Sequence, residues 1–371
     1  MNYAREAASY LTNPTVTIYR GEDHEHLMLL YYKALNFLKM ERYEEALVEC
    51  RRLNIRLLQL ADRYNSPERY RRDAFIHNLM GIIYQASKDW NNAFIAYRNA
   101  LEIYEEDYRR LFDVQPPDQL KVDLLTAAWN TGFKEEFAFY KEQFGWDDFI
   151  VQPSDADLIF LWHNGLGPVK DEWSVNFMIR RSGDMFVFYN DQLGMSYGFP
   201  VTNEDERNSL SSIEVFRVAF PRYVERPQLY TSARISFEGK IYPLELSENV
   251  NRIAFKSLQD RMMLEFSKAL IRVALKKAAE HSARKEDEGL GAIVGMVNAL
   301  TEKADTRNWQ TLPHSIYYSR IPLTEGTNET RFILQLPNGA EEEQTFSYRA
   351  KKEQTLFHTF TSLESRTPRR Y

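Results

Sequence analysis

Cysteine is almost missing from this chain: Cys50 stands alone. One cysteine excludes an intrachain disulfide and any cysteine-based zinc site. Its place in an apolar helical stripe reads as a small buried hydrophobe. Histidine is scarce too, with 7 in 371 residues. His24 and His26 form a short His-x-His, but no third and fourth ligand stands at helical spacing. No metal and no cofactor is therefore expected. Positive charge is not in excess. A net charge of −6 removes the electrostatic footprint that nucleic-acid binding requires. No apolar run reaches the ~20 residues of a spanning helix. Neither a phosphate-binding Gly-x4-Gly-Lys-Ser/Thr loop nor a Gly-x-Ser-x-Gly elbow is present. The paired carboxylates, such as Glu44–Glu45 and Glu135–Glu136, fall on predicted helix faces where solvation accounts for them. An enzyme is not the expectation.

What is present is an ordinary globular composition, 44% hydrophobic, with 22 Tyr and 23 Phe. From about His26 to Gly145 the apolar period is helical. Within it Gly81, Tyr84, Ala93, Tyr97 and Ala100 have the spacing two nested helices need. Gly81 and Ala93 let the backbones approach, the tyrosines fill the space above, and Ala100 admits the next helix. This predicts a tetratricopeptide-like (TPR-like) hairpin. Ala46 occupies the position equivalent to Ala93, and the step of 47 residues exceeds the repeat's usual ~34. The extra length falls in Leu58–Arg72, with a turn at Asn65-Ser-Pro67. A third, degenerate pair is predicted over Gln119–Thr131 and Phe133–Phe144, broken at Gly132.

Beyond Trp146 the pattern changes to short β-forming runs: Leu158–Trp162, Trp173–Phe177, Met185–Tyr189, Val215–Phe220, Ala233–Phe237, Lys240–Tyr242, Ser315–Leu323, Thr330–Leu336 and Gln344–Arg349. Glu238-Gly239 reads as a hairpin turn. One long helix is predicted from 251 to 284. The expected class is α+β and multidomain: an N-terminal arm over 1–25, a TPR-like helical domain over 26–148, a β-rich, sandwich-like domain over 149–350, and a C-terminal tail over 351–371.

Three places merit a functional reading. On the repeat, Tyr84, Tyr97 and Arg98 are candidate protein contacts, although the motif itself also predicts the two tyrosines as core. Around the turn Gly165-Leu-Gly167-Pro168, the residues Trp162, His163, Lys170, Glu172 and Trp173 are candidates for a small ligand. The turn's backbone amides suit an anion, and a plain tight turn is the competing reading. The segment 289–300 is nearly all apolar and rich in small residues, too short to span a bilayer. It reads as a buried helix, or else as a membrane- or partner-facing one, preceded by the basic stretch Lys276–Lys285. Directly after it, Asp305 and Arg307 are spaced to pair and Trp309 is a large anchor. These form either a corner between helix and strand or an exposed recognition knuckle.

The runs Tyr43-Glu-Glu-Ala-Leu-Val-Glu-Cys-Arg-Arg-Leu-Asn54, Asn164-Gly-Leu-Gly-Pro-Val-Lys170 and Asp305-Thr-Arg-x-Trp-x-Thr-Leu-Pro313, with Ile316-Tyr-x-x-Arg320, resemble a family of uncharacterised bacterial tetratricopeptide-containing proteins. The resemblance runs from about Gly21 to Gly339. Many members look like envelope lipoproteins with a lipidated cysteine ahead of the helical domain, a cysteine this chain does not carry. The family supplies no catalytic residues. The resemblance implies a non-enzymatic scaffold of the bacterial cell envelope that binds a protein or peptide. A leader removed ahead of Met1 would place it at the periplasmic face of the outer membrane; otherwise it is cytoplasmic. The alternatives are a carbohydrate- or ligand-binding protein or enzyme using 162–173, and a peripheral membrane assembly factor using 289–300.

Overall fold

Capping and apolar spacing define the helical half of the protein, seen here in a computed structural model. The structure describes residues 18–63, 70–182, 185–190, 195–200, 215–262 and 304–366. Helix α1 is Asp23–Lys39 and α2 is Tyr43–Arg63. Helix α3, Ala74–Ala86, starts at Asp73, whose carboxylate accepts from Ile76 N at 2.8 Å. Helix α4, Trp90–Ile103, starts at Asp89, which accepts from Asn92 N. These acceptors satisfy amides that the first turn leaves open. A π-helical turn, Tyr104–Tyr108, leads into the short α5, Arg109–Phe112. Helices α6, Asp118–Thr131, and α7, Lys134–Phe144, follow, separated at Gly132. Helix α6 has no side-chain cap of its own. Its first amides, on Asp118 and Gln119, donate to the Glu245 carboxylate at 3.0 and 2.8 Å. A further helix, α8, covers 250–262 of the described residues. The continuation predicted to 284, the turn at Asn65–Pro67 and the apolar segment 289–300 lie outside the described residues.

Twelve strands are described: β1 Ala156–Asn164, β2 Val169–Ser182, β3 Met185–Asn190, β4 Met195–Pro200, β5 Val215–Val224, β6 Ser232–Phe237, β7 Lys240–Pro243, β8 Glu245–Glu248, β9 Ser315–Leu323, β10 Gly326–Gln335, β11 Glu341–Ala350 and β12 Thr355–Ser362. They form three four-stranded sheets, ordered β12-β1-β9-β8, β11-β10-β6-β7 and β4-β3-β2-β5. The mixed α+β class is therefore observed. The turn between β6 and β7 has Glu238 and Gly239 both at positive φ, 48° and 75°, the backbone a two-residue hairpin needs.

Strand β1 organises its unit. It pairs parallel with β12 and antiparallel with β9, and its alternate residues enter two cores. Ile159 and Leu161 pack with the helices. Leu158, Phe160 and Trp162 pack against the second sheet, with Ile235, Phe332 and Leu334. Burial on both faces is why β1 reads as a continuous apolar run and not as an alternation.

The chain divides into two compact units. One contains Gly21–Val169, Glu225–Asp260 and Trp309–Tyr371; the other contains Met1–Arg20, Lys170–Val224 and Arg261–Asn308. This differs from a linear division at 148. The helices and the two sheets built on β1 and β10 share one unit, because β1 buries a face against the helices. The sheet β4-β3-β2-β5 belongs to the other unit, around Val175, Phe177, Val218 and Phe220. The stretch 351–371 is not simply a tail. Its Thr355-Leu-Phe-His-Thr-Phe-Thr-Ser run supplies β12, and Trp162 Nε1 donates to Ser362 Oγ at 3.0 Å.

Candidate functional site

The two most conspicuous motifs meet. The Gly165–Pro168 turn and the stretch Trp309–His314 form one interlocked corner. Gly167 N donates to Leu312 O at 2.6 Å, His314 N to Gly165 O at 3.3 Å, and Leu166 N to Ser365 Oγ at 2.8 Å. Arg226 clamps both segments, donating to the carbonyls of Gly167 and Gln310. The amides of Leu166 and Gly167, those that could hold an anion, are thus already used. Trp162 is wholly buried between Tyr317, Tyr230 and Phe332. His163 is buried as well: its Nε2 bonds the Tyr31 hydroxyl at 2.9 Å, and burial pushes its pKa down to about 3. It is a neutral packing histidine across the working pH range. Trp309 lies on Tyr32, at 5.9 Å between ring centroids, and its backbone N donates to Glu25; it remains 37% exposed.

The other turn candidates belong to the second unit, where they have local partners. Lys170 N donates to Asn308 Oδ1, Glu172 accepts from Ala304 N, and Trp173 packs on Phe220. In that unit Arg307 forms the expected bidentate pair with Asp305, at 2.9 and 2.7 Å, beneath which its guanidinium lies over the Tyr19 ring.

On the hairpin, Tyr97 is wholly buried and its hydroxyl donates to Gln85 Oε1 at 2.8 Å. It serves packing, not contact. Tyr84 is half-buried with its hydroxyl accepting from Arg51, and Arg98 is exposed. Tyr97 also belongs to a polar network that sequence reasoning did not find. Buried Arg320, on β9, donates to Asp123 on α6 at 2.8 Å, to Asp157 at 3.1 Å, to Gln85 at 3.2 Å and to Tyr97 at 3.3 Å. Tyr318 donates to the second Asp123 oxygen. Three helices and two strands are tied at one guanidinium, whose fork suits several acceptors at once.

A second buried cluster surrounds the π-helical turn. Tyr104 donates to Ser247 O and Tyr108 to Glu248 Oε2, while Tyr70 donates to Asp73. Among the described residues Glu248 Oε1 has no hydrogen-bond partner, and a cavity of about 20 Å³ lies beside it, lined also by His24, Tyr31 and Ile316. That is room for one water, not for an organic substrate. Burial, then the neighbouring Asp73 charge, raises the Glu248 pKa well above its usual range; burial likewise raises that of Asp73. The cluster can hold a proton. Both carboxyls bind protons more tightly folded than unfolded. The stability they contribute is therefore present at low pH and is lost as pH rises above the unfolded carboxyl range. Glu248→Gln keeps an acceptor for Tyr108 and removes the charge. It is expected to raise stability at neutral pH by about 1 kcal/mol or more and to flatten the fall with pH, measured as thermal midpoints across a pH series. A variant that loses stability with pH as steeply as the parent would contradict the assignment.

Among the described residues the surface offers a feature of another kind. Helix α7 buries none of its residues. Around it Trp129, Phe139 and Ile150 are 60%, 59% and 72% exposed. Ring contacts run from Trp129 to Phe137 and on to Phe149, and from Phe139 through Tyr140 and Phe144 to Trp146, with Trp146 and Phe149 stacked at 5.9 Å. An open depression of about 330 Å³ lies along Gly145–Phe149. Phe137, Tyr140 and Phe144 are half-buried against the helical core, while Trp129 and Phe139 extend the aromatic cluster into solvent, as rings at an interaction surface do. The sequence carries only a faint trace of it, one that takes meaning once the core is known. Phe133, Phe137, Tyr140 and Phe144 keep helical spacing, while Phe139 falls off that stripe and has no core to enter.

Among the described residues no helix is long and apolar enough to cross a membrane, and no group of three or more His, Cys, Asp or Glu is placed to hold a metal ion. No protein-family model, curated protein or solved structure matches this chain.

Proposed function

We propose that the chain is a non-enzymatic scaffold of the bacterial cell envelope, in which TPR-like helical hairpins, braced by a sandwich-like pair of sheets, hold a protein or peptide partner. The observation that carries the binding reading is the aromatic face of α6–α7: the last helix of the hairpin series has no buried residue, carries Phe139 in solvent, and is flanked by exposed Trp129 and Ile150. Nested hairpins bury their apolar faces only by stacking neighbours, so the last hairpin of a series presents an unpaired face. The envelope setting rests on the sequence resemblance alone.

The corner residues first considered as contacts fit a structural part better. Trp309 sits on Tyr32, and Arg307 is occupied by Asp305. The reading places recognition at the end of the helical series, away from the Gly165–His314 corner.

Affinity capture from envelope extract tests this. The intact chain is expected to retain a partner in near-equal amount. The double variant Trp129→Ser, Phe139→Ser is expected to lose it while keeping its thermal midpoint, since exposed substitutions shift stability by only about 0.5 kcal/mol. Equal capture by both proteins would sink the proposal.

A further inference from the structure

We infer that the aromatic face takes a cationic amphipathic segment, one carrying Lys or Arg beside apolar side chains. The inference rests on the docking reading above and adds the partner's chemistry.

Three observations on this surface converge. First, its rings already accept ammonium groups. Lys121 Nζ lies 5.8 Å from the Phe144 and Trp146 ring centroids, and Lys141 Nζ lies 5.6 Å from that of Phe137. The protein's own lysines fold over these ring faces, an arrangement in which the quadrupole of the ring attracts the cation. Second, Trp129 and Phe139, the most exposed rings, carry no such cation among the described residues. Third, the rim is acidic on balance, with five exposed carboxylates against one exposed lysine, Lys134. Glu135, Glu136, Glu142, Asp147 and Asp148 are all exposed, and none has a salt-bridge partner among the described residues. Asp147 and Asp148 line the depression together with the stacked Trp146 and Phe149.

An apolar centre with an acidic rim selects by both terms. The rings provide area for apolar side chains, and the carboxylates attract cations and repel anions. An acidic helix would meet like charge across the rim. A purely apolar one would leave the carboxylates facing nothing. The mode is that of an amphipathic segment lying on a helical face.

The experiment titrates the full chain with two fluorescently labelled amphipathic peptides of identical pattern, one Lys/Leu and one Glu/Leu, read by anisotropy. The Lys/Leu peptide is expected to bind about tenfold or more tighter than the Glu/Leu peptide, with affinity falling as salt rises. Asp147→Lys with Asp148→Lys is expected to erase that preference. Glu44→Lys, a single reversal on α2 remote in sequence from the face, is expected to leave it. Trp129→Ser with Phe139→Ser is expected to weaken the Lys/Leu peptide by about tenfold. Equal binding of both peptides, still lost in the aromatic variant, overturns the cationic assignment and leaves the docking face standing. Peptide binding unchanged by the aromatic variant overturns both. Loss of the preference in Glu44→Lys as much as in the Asp147, Asp148 variant also overturns the assignment, because it would reduce the effect to net charge.

Discussion

Arg320→Met is expected to lower stability by about 3–5 kcal/mol, the cost of leaving a buried partner charge uncompensated. Asp123 is 1% exposed, and its carboxylate accepts from Arg320, Tyr318 and Gln119. Methionine fills much of the volume but returns no donor. Asp123 would then keep its charge in a site closed to water, or take up a proton, which turns one of its accepting oxygens into a donor and costs it one of the bonds from the phenol and the amide. Asp157, Gln85 and Tyr97 would each lose one donor as well. Urea unfolding gives the midpoint and slope. The double variant Arg320→Met, Asp123→Asn is expected to recover part of the loss, because the stranded charge is removed with its partner. An Arg320→Met protein within about 1 kcal/mol of the parent would show that the guanidinium is not what joins α6 to β9.

The second large effect is expected at Gly81. A Cβ placed there would stand 2.4 Å from two Tyr97 ring atoms, a separation real Cβ atoms do not adopt. The ring cannot swing aside freely. Its hydroxyl is bonded to Gln85 and meets the Arg320 guanidinium, and the side chain is wholly buried. Gly81→Ala should therefore cost at least the upper end of the usual ~1–3 kcal/mol for overpacking, against the small gain alanine brings to a helix interior. A smaller residue opposite relieves the clash, so Gly81→Ala with Tyr97→Leu is expected to be more stable than Gly81→Ala alone. The clash and the polar network share Tyr97, so Gly81→Ala and Arg320→Met together should cost less than their sum. Strict additivity would mean that α3 and α4 pack independently of β9.

That shared tyrosine shows where sequence reading reaches and where it ends. The spacing of Gly81, Tyr84, Ala93, Tyr97 and Ala100 predicts a close helix pair, and Gly81 does face Tyr97. Helical period places α6 and α7 on either side of Gly132, and Glu238-Gly239 predicts the β6–β7 turn. These features are local, and their physics is contained in a few neighbouring residues. The partners of Tyr97 are not local. Arg320 lies 223 residues away in sequence, and nothing in an Arg between β-forming residues says which acids it will meet.

Strand β12 is hidden in the sequence because its Thr-rich alternation sits in a polar stretch. Its parallel partner β1 lies roughly 200 residues earlier, the kind of pairing only the assembled sheet defines. Strand β8, Glu-Leu-Ser-Glu, has a single apolar residue, too little for a periodic pattern to register. The π-helical turn at Tyr104–Tyr108 reads as plain helix in sequence. Only packing shows that it carries two tyrosines to Ser247 and Glu248.

The candidate site was less legible than the fold. Trp162, His163 and Gly167 stood out because their pattern is dense, and density of that sort also comes from an interlocked corner. Residues that packing leaves in water, Phe139 above all, are conspicuous only once the core is known.

The most direct measurement is site-specific photocrosslinking in cells that express the full chain. A benzophenone side chain is placed at Phe139, and in a parallel strain at Ile55, which is 56% exposed on α2. The expected result is one discrete crosslinked species from position 139 and none from position 55, with the 139 species lost when Trp129 is serine. The same species from both positions, or none from 139 where 55 gives one, would contradict recognition at the α6–α7 face.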